Sequence, residues 1–261
     1  MNELRGDELL AALERGAVRA AEPVADGTWR VHAWVKAAIL ELFRTRAASE
    51  VGEQRELWPF VDKLGVRAFG REDGVRFVPG GSSVRRGAFV APGCVLMPPC
   101  YVNVGAHFGA GTMVDSHVLV GSCAQIGERV HLSAGVQVGG VLEPAGARPV
   151  IVEDEAVIGG QCGLYEGVLV RRRAVLGAGV ILTGTTRVFD LVNACEFTGT
   201  LEQPLEIPPE AVVVPGSRPA SAHDAAGLRS AHHHLHVACA LIVKYRDART
   251  DARTALEDAL R

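Results

Sequence analysis

From Val84 onward, an aliphatic residue or Phe recurs at every sixth position: Val84, Val90, Leu96, Val102, Phe108, Val114, Val120, Ile126, Leu132 and Val138. After one break the beat resumes as Val152, Ile158, Leu164, Val170, Leu176, Leu182 and Val188. A period of six fits neither the 3.6-residue helix nor the two-residue alternation of a half-buried strand. It fits a chain that makes a short strand, turns a corner and repeats. Three such sides close a triangular coil, and successive coils stack as parallel strands. Each anchor then points inward. The residue four places on is usually small or β-branched (Ala88, Cys94, Cys100, Ala106, Thr112, Ala124, Val130, Val136, Ala156, Cys162, Val168, Ala174, Val180, Thr186), as a tight inner corner requires. Glycine often follows the anchor directly (Gly109, Gly121, Gly127, Gly139, Gly159, Gly177), where a corner with positive φ is expected. The result is a mainly β solenoid whose coils touch only their neighbours and whose ends need caps. Thirty glycines and 5% aromatics suit many tight turns with small residues stacked inside.

The break is informative. Val138 and Val152 lie fourteen residues apart instead of six, so eight residues are inserted within Gly139–Pro149. The beat is intact on both sides, so the insertion bulges from one corner. It is either a tolerated insertion or a loop that carries function on a rigid scaffold.

The flanks divide the chain into residues 1–65, the coil 66–200 with its loop 139–149, and a cap 201–261. The first part reads as helical, with Leu4, Leu9, Leu10 and Leu13 on one face and a second amphipathic stretch over residues 34–43. Trp29 and Trp34 read as core anchors. Ala211–Val214 and Val237–Val243 read as strands, Asp247–Arg261 as a terminal helix, and together they cap the coil's open edges.

Several function classes are excluded. Lys plus Arg is 27 against 30 Asp plus Glu, which leaves no basic excess for nucleic acid or an anionic membrane. Arg171-Arg172-Arg173 reads as a solvated turn rather than a polyanion site. No signal-peptide core or bilayer-length apolar run is present, which points to a cytoplasmic protein. Cysteines 94, 100, 123, 162, 195 and 239 show no metal-ligand spacing, so no metal is expected, and most should be buried reduced thiols. His232-His233-His234 is either a solvated loop or, less economically, a metal-binding run.

Beyond the beat, particular words stand out: Gly87-Ala-Phe-Val-Ala, Val95-Leu-Met-Pro, Tyr101-Val-Asn-Val-Gly-Ala106, Gly111-Thr-Met-Val-Asp115, Val120-Gly-Ser-Cys-Ala-Gln-Ile-Gly127, Val130-His-Leu-Ser133 and Gly139-Gly-Val-Leu-Glu-Pro144. In these the chain resembles the tetrahydrodipicolinate N-succinyltransferases, over about Trp29 to Lys244. The resemblance implies a left-handed parallel β-helix, against the usual right-handed crossover. It also implies a homotrimer with sites between neighbouring subunits, and succinyl-CoA as acyl donor. By the match, Arg76 holds a substrate carboxylate, a task suited to a planar guanidinium fork. Asp115 stands at the acceptor amine as the catalytic residue, and Glu166 lies on the substrate side.

The chemistry asks for few parts: an amine that loses a proton, a polarised thioester carbonyl, and the two held together. Asp115 would orient the ammonium and take its proton. Backbone N–H groups at Gly139, Gly140 or Gly160 would face the oxyanion. The pantetheine arm would lie near Gly177, Ala178 and Thr183, and Lys244 or Arg246 would meet the phosphates. No Cys or Ser nucleophile stands beside a base, which favours direct transfer.

The chain also departs from the pattern. Where the family reads Gly-Ala-Arg-Ser-Glu and then Glu-Gly, this chain has Gly159-Gly-Gln-Cys-Gly163 and then Glu166-Gly167. Gln161 thus replaces an arginine, Gly163 a glutamate, and His117 stands where tryptophan is usual. His131 fits the family word and reads equally as structural or catalytic. Three readings follow: the lysine-pathway succinylation; a paralogue that acylates a related amino acid with succinyl-CoA or acetyl-CoA; or a non-catalytic scaffold.

Overall fold

The computed structural model describes residues 4–51, 60–200, 202–220 and 234–254. Its centre is a three-sided parallel coil. Strands three apart in sequence pair, so each side is a stack of two-residue strands. The first side runs from Arg76–Phe77 through Val95–Leu96, Met113–Val114, His131–Leu132, Val157–Ile158 and Val175–Leu176. The second runs from Ser83–Val84 to Ile181–Leu182, and the third from Phe89–Val90 to Glu206–Ile207. Parallel rungs place Met113 opposite His131, and His131 opposite Val157.

The anchors point inward as the period requires. All seventeen are at most 2% exposed and form one continuous core, with the corner residues Ala88, Cys94, Cys100, Ala106, Ala124, Cys162 and Ala174 packed beside them. Each strand is only two residues long, so little besides this inner column holds a coil in register.

The glycines that follow the anchors require a different explanation from the one the sequence suggested. The left-handed backbone falls three residues after the anchor, at Gly87, Gly93, Gly105, Gly111, Gly135 and Gly179, and also at the non-glycine residues His117, Cys123, Arg129, Glu155, Gln161 and Arg173. Gly121, by contrast, is glycine because the next coil passes directly over it. A Cβ there would lie 2.1 Å from Gly140 N, and one at Gly109 would lie 2.5 Å from Glu128 N. Stacking distance, not φ, excludes a side chain at these positions.

The N-terminal part is less helical than expected. Helix α1 (Gly6–Glu14) and helix α2 (Ala33–Thr45) alternate with two antiparallel pairs, Ala21–Pro23 with Trp29–Val31 and Ser49–Val51 with Phe60–Asp62. The first hairpin turns at Asp26-Gly27, where Asp26 Oδ1 accepts from the Thr28 N–H at 2.9 Å and from its hydroxyl at 2.6 Å, and Gly27 takes φ +83°. An Asp-Gly pair is a strong local turn signal, and it overrides the helical reading there. Leu9, Leu10 and Leu13 join Val35, Ile39 and Leu42 in a second core that includes Val104 and Cys123 of the coil. This layer covers the third side. Arg19 Nε donates to Gln125 Oε1 at 3.0 Å, and Trp29 Nε1 donates to Glu153 Oε1 at 2.9 Å.

Beyond the coil, Ala211–Pro219 and His236–Tyr245 form an antiparallel hairpin that extends the first side, longer than the apolar runs alone indicated. Helix α3 spans Ala248–Thr254, with Asp247 just ahead of it; residues 255–261 of the expected terminal helix, and His232 and His233, lie outside the described residues. Five cysteines are buried, Cys195 is exposed, and all six are free.

Candidate active site

The first and second sides meet along one edge, and its backbone climbs by a repeated bond. His117 N donates to Pro99 O, Gly135 N to Ser116 O, Gln161 N to Ala134 O, and Gly179 N to Gly160 O. Asp115, Ser133, Gly159-Gly160 and Gly177-Ala178 therefore occupy equivalent places on successive coils. Among the described residues Asp115 is the only carboxylate on this edge, whose other corners are built from Gly, Ala, Ser, Pro, Cys and Val with Met97 and Gln161. An uncharged, small-residue edge lets an extended ligand approach the backbone closely, and it leaves one negative charge to receive a cation.

Asp115 has a partner that the sequence left open. His131 Nε2 lies 3.1 Å from Asp115 Oδ2, with both side chains partly buried. The signal was present in the repeat: eighteen residues separate Met113 from His131, one full coil, so His131 stands on the next rung above the strand that leads into Asp115. Arg76 opens the first side two rungs below that strand, about 10 Å along the stack at the usual strand spacing.

The edge between the second and third sides carries a different set. The inserted loop leaves here after Val138, and Gly140 passes over Ser122. Lys36 of α2 is fully buried beneath it, donating from Nζ to Ala147 O at 2.8 Å and to Pro144 O at 3.3 Å. Burial pushes this ammonium below the usual lysine range. Glu166 is on the same edge, in the left-handed region, and its Oε2 accepts from Gly184 N at 3.1 Å. Thr183 is occupied locally: its N–H donates to Thr186 Oγ1 at 2.8 Å.

Within one chain, then, the structure groups Asp115, Gly160, Gly177 and Ala178, and it groups Gly140, Glu166 and Thr183 one side away. Lys244 stands at the top of the first side, opposite Val212 and paired with Asp247 at 3.0 Å. Arg246, the alternative phosphate group, is instead tied down. It pairs with Asp251 and donates to the carbonyls of Glu155 and Arg173. One of the three expected backbone donors is spent, since Gly139 N–H goes to Leu164 O, and on the pantetheine side Gly177 N–H goes to Val213 O. The N–H groups of Gly140 and Gly160 make no hydrogen bond among the described residues.

Two departures from the family pattern have local explanations. A Cβ on Gly163 would lie 2.6 Å from Tyr165 Cε2, so the tyrosine ring occupies the space of a side chain there. The Gln161 amide lies over Gly135, where a Cβ would lie 2.2 Å from Nε2. Both tyrosine and glutamine were legible as residues, but not as occupants of a neighbour's space. Arg171-Arg172-Arg173 is a turn with Arg172 exposed, as expected, and it is also the centre of an ion-pair cluster. Arg171 pairs with Glu153 and Glu206, Arg172 with Glu155, and Arg173 with Glu155, Glu210 and Asp251.

A coil of six-residue sides with its polar groups ranged along the edges is the hexapeptide-repeat class of transferase, and the family model for the hexapeptide repeat of succinyltransferases matches residues 149–184. A second model, the tetrahydrodipicolinate N-succinyltransferase N-terminal domain, matches residues 7–45. The chain is 43% identical to the 2,3,4,5-tetrahydropyridine-2,6-dicarboxylate N-succinyltransferase of Parvibaculum lavamentivorans, over 98% of this chain and 88% of the relative. It is 40% identical to the protein of that name from Xylella fastidiosa (strain Temecula1), over 98% and 87%. The chain belongs to this N-succinyltransferase family. A solved structure described as a 2,3,4,5-tetrahydropyridine-2-carboxylate N-succinyltransferase from Campylobacter jejuni aligns with a TM-score of 0.44 at 14% identity, covering 90% of this chain and 61% of that one.

Proposed function

We propose that this protein transfers the succinyl group of succinyl-CoA to the amine of tetrahydrodipicolinate in its ring-opened 2-amino-6-oxopimelate form, a cytoplasmic step of the diaminopimelate route to lysine. The observation that carries the reading is the near full-length match to N-succinyltransferases, with Asp115 standing as the one carboxylate on the glycine-rich edge. The coil is read as a left-handed β-helix, and the working form as a homotrimer. That assembly accounts for the separation of the two groups of residues. Gly140, Glu166 and Thr183 of one copy would face Asp115, Gly160, Gly177 and Ala178 of the next, with Lys244 toward the donor's phosphates and Arg76 on an acceptor carboxylate.

The chemistry is a direct transfer. Asp115 receives the substrate ammonium and takes one of its protons. The freed lone pair forms a C–N bond to the thioester carbonyl carbon while the carbonyl pair moves onto oxygen, where the N–H of Gly160 or of a neighbour's Gly140 can donate. The C–S bond then breaks with its electron pair on sulfur. The thiolate takes the proton held at Asp115, and the second amine proton passes to water.

The test is thiol release from succinyl-CoA and acetyl-CoA with tetrahydrodipicolinate or 2-aminopimelate as acceptor. Release with succinyl-CoA and either amine is expected; none with either amine overturns the assignment. A second reading, a paralogue acylating a related amino acid, is favoured by Gln161 over Gly135 and by the Tyr165 ring over Gly163. Turnover with another amino acid in place of these two would select it.

A further inference from the structure

Asp115 uses only one of its two carboxylate oxygens inside the protein. Oδ2 lies 3.1 Å from His131 Nε2, and Oδ1 makes no hydrogen bond among the described residues. A carboxylate in its ionised form can only accept, so with that form this contact requires the proton on Nε2. The His131 side chain is 21% exposed, that of Asp115 27%, and the residues on the rungs below and above His131 are Met113 and Val157. These apolar neighbours offer Nε2 no competing acceptor. The comparison with His107 is instructive. It lies on the covered third side without a carboxylate, and its Nδ1 is buried with no partner.

We propose that His131 is a positioning residue for acyl transfer: its Nε2–H holds Asp115 Oδ2, leaving Oδ1 turned outward for the substrate ammonium. This rests on the acyl-transfer reading above, and it adds a member to the site that neither the loop nor the glycine edge supplies. The imidazole fixes the carboxylate in one rotamer, as the orienting member of a base pair does elsewhere in catalysis. A carboxylate on an edge built of small residues has little else to restrain it. Misplacing a reacting group by about 1 Å can cost roughly 100-fold in rate.

Two experiments separate positioning from a merely structural role. In steady-state thiol release, His131→Leu should lower kcat by about 100-fold with a much smaller change in acceptor KM. His131→Gln, which keeps an N–H donor, should recover most of that loss. The double variant Asp115→Asn with His131→Leu should be no slower than Asp115→Asn alone, because the histidine acts only through the carboxylate. A His131→Leu enzyme within twofold of the parent, or losses that multiply in the double variant, would overturn the proposal. The second experiment needs no turnover. Nitrogen NMR of histidine-labelled full-length protein should find the His131 proton on Nε2, and Asp115→Ala should disturb that tautomer. A proton resident on Nδ1 in the parent would refute the contact as drawn. Absence of thiol release in the parent, with the Nε2 tautomer intact, would instead count against the acyl-transfer reading.

Discussion

Thr112 is fully buried at an inner corner, and its hydroxyl is committed twice. It donates to Gly127 O at 2.8 Å and accepts from Val130 N at 3.1 Å. Cys94 and Cys162 occupy equivalent corner positions, and each thiol points at the carbonyl of a glycine fifteen residues on, Gly109 at 3.2 Å and Gly177 at 3.1 Å. The small polar corner residue thus fastens one coil to the next where the backbone turns and ladder bonds are interrupted. Thr112→Val keeps the volume but strands both partners, which should cost about 1–3 kcal/mol in urea unfolding, with Thr112→Ser losing less. Equal stability of Thr112→Val and the parent would show that the corner bonds contribute nothing.

The edge between the third and first sides is built on charge. Glu155 accepts from Arg172 at 2.8 Å, Arg129 at 3.1 Å and Arg173 at 3.2 Å, bridging three coils and α3 through Asp251. The hydrogen bonds from Arg172 and Arg129, joined by Arg173, hold its carboxyl at about 2 against the ordinary 4.5. A depressed folded value means that the group stabilises the fold above the ordinary value, and that this contribution is lost as pH falls through the window from 4.5 to about 2. Glu155→Gln should therefore be less stable than the parent at neutral pH, and the difference should close across that window. A difference independent of pH would mean that the ion pairs are not its source. The neighbouring edge with the inserted loop is held differently, by one buried ammonium on two loop carbonyls and by Leu142 packed against the α1–α2 core.

At the scale of the whole molecule, the third side is covered by the chain's own N-terminal layer, while Leu119 and Ile181 stand exposed on the second. The proposed trimer would bring such a bare side and its two edges against a neighbour, and it predicts complementation. Asp115→Asn and Glu166→Gln chains should each be impaired as homo-oligomers. Refolded together in equal amounts, they should recover roughly a quarter of the parent activity, since random assembly gives that share of sites with both native residues. No recovery on mixing would place both residues in the same subunit's site.

The period of six was enough to determine the coil, the inward column from Val84 to Val188 and the corner from which the loop departs. A repeated steric requirement writes itself into consecutive residues. The words around Asp115 likewise carried the family. Side-chain contacts are another matter, because they depend on side-chain direction and available space, both within a coil and between rungs eighteen residues apart. Only the tertiary structure set His131 against Asp115, laid Tyr165 over Gly163, and drew Arg171–Arg173 into an ion-pair cluster. It also showed that Gly121 is glycine to let the next coil pass rather than to turn, and that the Asp26-Gly27 hairpin interrupts the expected helices. Local pattern determines which face is buried; the packing of one turn upon the next decides what each exposed residue meets.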